Sequence, residues 1–266
     1  MKRILWAAML MIATVQPASA KIITITLEGK FSYGYDTYNY FGAGTDLGGI
    51  DVTTVQTFDD STPGTSFFDG PNVNGLYGFG PDYYGASTSS PGSAVVIVNG
   101  VTRPVEGTYA AELYKYQYPD HQQLISGVSD DRIYTDELGL PTQEYHGFTG
   151  VYASHPHIFE STNLDEAFVF SGNELGNSYL PYYQGQVEFR TITYVDFFGQ
   201  KFPFVTDEVF GLIDLAAAKI TVASGEAGAV PEPSSWVMML AGFGLIGCAL
   251  RARHQTAKPS NALLSA

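Results

Sequence analysis

The sequence predicts an all-β protein: an antiparallel β-sandwich of the jelly-roll kind over most of its length, followed by a single C-terminal transmembrane helix. Three observations predict it. Aromatic residues reach 14%, with 18 Tyr and 17 Phe, and they are punctuated by 29 Gly and 14 Pro. That mixture favours strands and turns over helices. Apolar and polar residues alternate in several short runs, which is the period of a half-buried strand. Finally, no long amphipathic helix precedes the uncharged stretch from Ser234 to Leu250.

The first element is an address. Met1-Lys2-Arg3 is basic, Ile4 to Val15 is apolar, and Ala18-Ser19-Ala20 supplies small residues in an A-x-A arrangement. These are the three parts of a secretory signal peptide, here residues 1–20, read by the secretion machinery and cut by signal peptidase after Ala20.

Residues 21–223 form the predicted β domain. Ile23, Ile25 and Leu27 alternate with Thr24, Thr26 and Glu28. Val52 to Phe58 reads as a second strand. Ala94 to Val98 and Val101 to Val105 flank Asn99-Gly100, the strongest short hairpin signal, because both residues tolerate positive φ. Pro104 either places the second of these strands at an edge or ends it there. Tyr114, Tyr116 and Tyr118 alternate with Lys115 and Gln117, and Val187 to Tyr194 alternates over its whole length. Shorter candidates are Phe148 to Ala153, Ala167 to Phe170 and Phe202 to Val205. Asp207 to Lys219 fits either period and is assigned to strand, continuing through Ile220 to Val222. Asp59 to Pro91, rich in Gly, Pro, Ser and Tyr, and the acidic Ser129 to Gly147 read as loops.

Residues 224–230 are a small-residue linker. The segment 231–253 follows, then a polar tail, 254–266. In the segment, Ser234 to Leu250 would span about 25 Å as a helix, slightly less than a ~30 Å hydrocarbon core. Trp236 suits the outer interface, and Arg251 with Arg253 holds the far end in the cytoplasm by the positive-inside rule. Together with a cleaved signal, this leaves the β domain outside the inner membrane, anchored transiently.

The chain carries 13 basic and 27 acidic residues. Lys2, Arg3, Arg251, Arg253 and Lys258 lie in the end segments, where Glu232 is the one acid, so the middle domain is more acidic than the whole. So acidic a surface repels nucleic acid and anionic lipid. Cys248, the only cysteine, lies in the C-terminal apolar stretch, so the domain has neither a disulfide nor a thiol nucleophile.

Candidate sites are sparse. His155-Pro156-His157 with Glu160 has metal-like spacing on an extended segment, although two loop histidines are the commoner reading and no metal is expected. Asp59-Asp60, Asp130-Asp131, Asp136-Glu137 and Asp165-Glu166 lack the spaced calcium-loop pattern. They leave calcium as a weak candidate and no other cofactor. Tyr33, Tyr35, Tyr38, Tyr40, Tyr83 and Tyr84 are candidate sugar-stacking rings, against the plainer role of capping the core. None of Gly-x-Ser-x-Gly, His-Glu-x-x-His or Gly-x-x-x-x-Gly-Lys is present, so no catalytic residue is assigned and a non-enzymatic protein is expected.

Pro231-Glu232-Pro233, Trp236, the Gly-rich apolar stretch and the Arg251/Arg253 cluster together resemble the PEP-CTERM sorting domain. The resemblance implies recognition by exosortase, an integral-membrane transpeptidase-like enzyme, in a Gram-negative bacterium that makes exopolysaccharide. The same tail is described on some ice-binding proteins. Family tails usually end a few residues after the basic cluster, whereas here His254 to Ala266 follow. A softer resemblance, to the opening of many exported β-proteins with this tail, lies in Gly29, Tyr33-Gly34-Tyr35-Asp36, Phe41-Gly42-Ala43-Gly44-Thr45-Asp46-Leu47-Gly48-Gly49 and Phe58-Asp59-Asp60, and it implies the same sandwich fold. It implies no activity. The expectation is an exported surface or matrix component associated with exopolysaccharide. A glycan- or ice-binding adhesin is the first alternative, and a periplasmic hydrolase the second.

Overall fold

The alternation that begins at Ile23 becomes β1 (Lys21–Asp36), with Ile23, Ile25 and Leu27 buried. In the computed structural model, which describes residues 20–84, 86, 88–172 and 184–226, Ala20–Glu226 is one compact unit. Its other strands are β2 (Asp51–Asp59), β3 (Ser66–Gly70), β4 (Val73–Phe79), β5 (Gly92–Val98), β6 (Val101–Val105), β7 (Ala110–Gln117), β8 (Gln122–Thr135), β9 (Pro141–His155), β10 (Phe168–Ser171), β11 (Gln184–Phe197), β12 (Gln200–Asp214) and β13 (Lys219–Glu226).

Every strand pairing is antiparallel. The order is β3-β4-β7-β8-β9-β11-β12-β1-β2-β5-β6, with β13 on β1 and β10 on β13. The all-β expectation holds in a different arrangement from two separate sandwich layers: the strands form one sheet curled into a half-barrel. The cause lies in β1. Its first half pairs with β2 and β13, and its second half pairs with β12. The register shifts between Phe31 and Tyr33, the kind of irregularity that bends a strand and lets it serve both halves. Phe31 fills the bend against Gly211, where a Cβ would lie 2.2 Å from the ring. Ile25 and Val96 from one half meet Val151 and Phe189 from the other in a single core.

The Asn99-Gly100 turn forms as expected, at φ 51° and 76°, and Pro104 lies in β6 at the end of the sheet path. Three expectations are corrected. Asp59 to Pro91 contains the hairpin β3–β4, hidden because β4 turns only Leu76 inward as a large apolar side chain, beside Asn74 and Gly78. Ser129 to Gly147 is mostly the distal part of the β8–β9 hairpin. There the strands are not sandwiched, so burial no longer imposes alternation. Ser224, Gly225 and Glu226, read as linker, pair with Ile23, Ile22 and Lys21. The ambiguous stretch divides: Asp207–Asp214 is strand, and Leu215–Ala217 is a single 3₁₀ turn capped by the Asp214 carboxylate.

Among the described residues no helix is long and apolar enough to cross a membrane. The predicted helix at Ser234–Leu250, the polar tail and the signal residues 1–19, including Ala18, lie outside the described residues.

Candidate functional site

The alternation on β7 sends Leu113 and Lys115 inward and Tyr114 and Tyr116 outward. On the neighbouring β4, Tyr77 and Phe79 also point outward, and Tyr77 sits across from Glu112. The outward rings form an uninterrupted file. Tyr77 lies 6.5 Å from Tyr114, Tyr114 5.7 Å from Tyr116, and Tyr116 6.0 Å from Tyr118. His121 closes one end, 4.5 Å from Tyr118. At the other end Phe79 stacks on Tyr83 at 4.0 Å, and Tyr83 contacts Tyr84 and Tyr109.

Glycine sets the height of this file. The Tyr114 ring rests on Gly75 of β4, where an added Cβ would lie 2.0 Å from the ring. One ring face is therefore against the sheet. Burial and the neighbouring Glu112 push the Tyr114 hydroxyl up to about 12, so it stays a neutral hydrogen-bonding phenol at ordinary pH. A shallow groove runs beside the file, lined by Tyr77, Phe79, Glu112 and Phe148. A second continues across the sheet past Phe148 and Gly150 to Gln184 and Gln186.

The opposite side of β7 holds the platform in place. Lys115 is fully buried. Its Nζ donates to the carbonyls of Asn163 (2.7 Å) and Glu166 (3.1 Å) and lies 4.9 Å from the Phe168 ring centre. Burial lowers its pKa to about 8, partly offset by Glu166 and Asp165. The 157–167 loop is thus tied to the strand that carries Tyr114 and Tyr116.

The six tyrosines singled out in the sequence do not converge. Tyr83 joins the file, and Tyr84 flanks it. Tyr33 and Tyr35 lie against Phe210, where β1 pairs with β12, itself four strands beyond β7 along the sheet path. Tyr38 is exposed and donates its hydroxyl to Val205 O. Tyr40 packs inward on Phe41 and Phe189, beneath the Arg103 guanidinium at 4.0 Å, so its role is core-lining. Tyr77, Phe79, Tyr109 and His121 were missed. Alternation within Tyr114–Tyr118 was visible, but its alignment with Tyr77 and Phe79 is a fact of pairing.

His155 turns its Nδ1 back on the backbone of His157, whose Nε2 is 3.3 Å from Glu160. The two imidazoles therefore do not face one point, and no group of three metal-ligating side chains gathers among the described residues. Most of the acidic clusters anchor turns or strands. Asp130, buried, accepts from Glu106 N and Thr108 N and pairs with Arg132. Asp136 accepts from Leu138 N and Leu140 N. Asp59 accepts from Ser61 N, and Asp60 from Lys21 N.

β13 ends at Glu226, paired with Lys21, so the chain enters and leaves this unit at one corner. Shortly beyond, residues 229–253 match the family model described as the PEP-CTERM protein-sorting motif. The chain carries a PEP-CTERM motif. The motif indicates an exosortase-sorted, exported, membrane-transiting protein, with exosortase as its processing partner. Pro231, Glu232, Pro233, Trp236, Arg251 and Arg253 fall inside the matched PEP-CTERM span and outside the described residues. No curated protein and no solved structure matches the chain.

Proposed function

We propose that this exosortase substrate is a non-enzymatic component of the cell surface or extracellular matrix, and that its β domain holds exopolysaccharide on the aromatic file of β4 and β7. The observation that carries the reading is that file: outward rings on adjacent strands, beside grooves bearing Glu112, Gln184 and Gln186. Pyranose rings present C–H faces that stack on aromatic rings, while carboxylate and amide groups take their hydroxyls. The pairing of Lys21 with Glu226 supports a tethered role, since it closes the domain at the point where the chain leaves for the sorting segment.

In this scheme the N-terminal signal is removed after Ala20, Pro231 and Pro233 stiffen the sorting segment, Glu232 supplies its charge, Trp236 sets its depth, and Arg251 with Arg253 orients it. The test is retention of the processed protein on the host's own polysaccharide. Loss of retention in a Tyr114→Ala/Tyr116→Ala variant, with an unchanged melting temperature, supports the reading. Full retention by a folded variant refutes it, and adsorption to ice in place of polysaccharide points to the ice-binding alternative.

One observation favours a hydrolase as the second reading. A groove on β8, β9 and β11 gathers Asp131, Glu144 and Glu188 around His146 and Arg190, and glycoside hydrolysis uses paired carboxylates. Turnover of glycans that Glu144→Gln and Glu188→Gln abolish would establish it.

A further inference from the structure

The inner face of the sheet outruns its cover at one end. Along β11 the inward positions Val187, Phe189 and Thr191 are 0%, 1% and 8% exposed, but Val195 and Phe197 on the same side are 46% and 63% exposed. The partner strand repeats the pattern: Val209 is buried, while Phe202 and Phe204 are 43% and 56% exposed. The register places Phe202 across from Val195 and Phe204 across from Thr193, so these side chains share one face. Val195, Phe197, Phe202 and Phe204 line an apolar groove of about 360 Å³ with no polar lining. Beyond Asp36 no described strand accompanies β12, and after the Tyr38 hydroxyl meets Val205 O its outer edge is unpaired by any described strand from Lys201 to Phe204.

Beside this groove stands a knob. The β11–β12 turn is Phe198-Gly199, at φ 56° and 78°, the same left-handed geometry that Asn99-Gly100 adopts in the β5–β6 hairpin. Asparagine tolerates that geometry, whereas a bulky side chain there is strained. Phe198 nevertheless occupies it and is 96% exposed. A strained turn that holds an aromatic ring out in water points to a partner for the ring.

We propose that the β11–β12 overhang is a homotypic interface, in which Phe198 of one copy enters the groove of a second copy and the exchange is mutual. Knob and hole on one surface are what a two-fold, isologous contact requires. The groove carries no charge, so the contact itself buries no carboxylate, and salt screens the repulsion between the two acidic domains beyond about 8–10 Å. Tyr134 lies across from Gln143, and Gln143 across from Thr193, so Tyr134 joins the same face two strands away. Taking ~200 Å² for each aromatic side chain, the exposed parts of the five groove and knob residues and Tyr134 offer roughly 650 Å² per copy. Two copies would then bury about 1,300 Å², within the range of stable interfaces.

The test is photo-crosslinking of the full chain in its host, with Phe204→benzoylphenylalanine as the probe. The expected result is an adduct of twice the chain mass, mapping to 195–204 of a second copy. Phe198→Asp in the same chain should lower that adduct at least about tenfold, and the far-UV circular dichroism of Phe198→Asp should match the parent's, since Phe198 is exposed and supports no core. An adduct with lipid, with another protein or within one chain, the absence of any adduct, or an undiminished dimer adduct in Phe198→Asp would overturn the proposal.

Discussion

The imidazole of His121 lies 4.5 Å from the ring of Tyr118 and is tilted from it by only 9°. A tight turn enforces the stack: Tyr118 N donates to His121 O, and Asp120 holds His121 Nδ1 at 2.7 Å. The hydrogen bond from His121 also keeps the Asp120 carboxyl below its ordinary pKa. The end of the aromatic file is thus shaped by short-range bonding before any ligand arrives.

The middle of the file, Tyr114 and Tyr116, should carry most of the polysaccharide contact. Replacing both with Ala is expected to weaken retention about 10- to 100-fold, at ~0.7–1.4 kcal/mol for each lost aromatic contact. Affinity electrophoresis in gels containing the host polysaccharide reads this directly. Tyr33→Ala, on β1 and several strands away from β4 and β7, should leave mobility unchanged.

Gly75→Ala should damage the same surface from beneath. The new methyl would meet the Tyr114 ring and the Leu113 carbonyl, so the ring must lift or β4 must shift. Overpacking of this kind costs about 1–3 kcal/mol. A lower urea midpoint together with weaker polysaccharide retention is expected. A midpoint equal to the parent's would contradict the packing account.

Lys115 gives a pH signature whose sign is opposite to that of a surface lysine gaining a partner. Its native pKa is lowered to about 8 from an ordinary 10.5. Below pH 8 the amine is protonated in both states, and the native state bears the full cost of burying the charge. Between about 8 and 10.5 the unfolded chain binds a proton that the native state does not, so stability rises with pH. Between pH 7 and 9.5 the parent should gain about 2 kcal/mol relative to Lys115→Met. Paired urea titrations measure this, because the tyrosines titrate in both proteins and cancel.

Glu232→Gln removes the one acid of the PEP-CTERM segment without touching the β domain. Processing by exosortase should fall while the melting temperature of the domain stays constant. Mass spectrometry of both termini from the host is the check, with Lys21 expected as the first residue of the parent. Normal processing of the variant would remove Glu232 from any role in recognition.

Much of the fold could be read from local chemistry. Ile23, Ile25 and Leu27 announced β1, Asn99-Gly100 announced a hairpin, and Pro104 announced an edge or a strand end, because each rests on the pattern of a few neighbouring residues. β4 escaped because it buries only one large apolar side chain, and the distal β8–β9 ribbon escaped because neither face is covered. The candidate surface was legible only in part. Tyrosines close in sequence, such as Tyr33, Tyr38 and Tyr40, end in three different environments, while Tyr77 and Tyr114 meet across a strand pair.

The sequence by itself determined that this protein is sorted for export, since a PEP-CTERM motif is a linear signal read residue by residue, and it determined the β character of the domain, since period-two burial is written along each strand. Only the tertiary structure decided which rings share a surface, that Lys115 is buried beneath them, and that the β11–β12 hairpin outruns its cover. Those three facts depend on pairing between distant strands and on the bend in β1, and neither register nor curvature is encoded in any local stretch of residues.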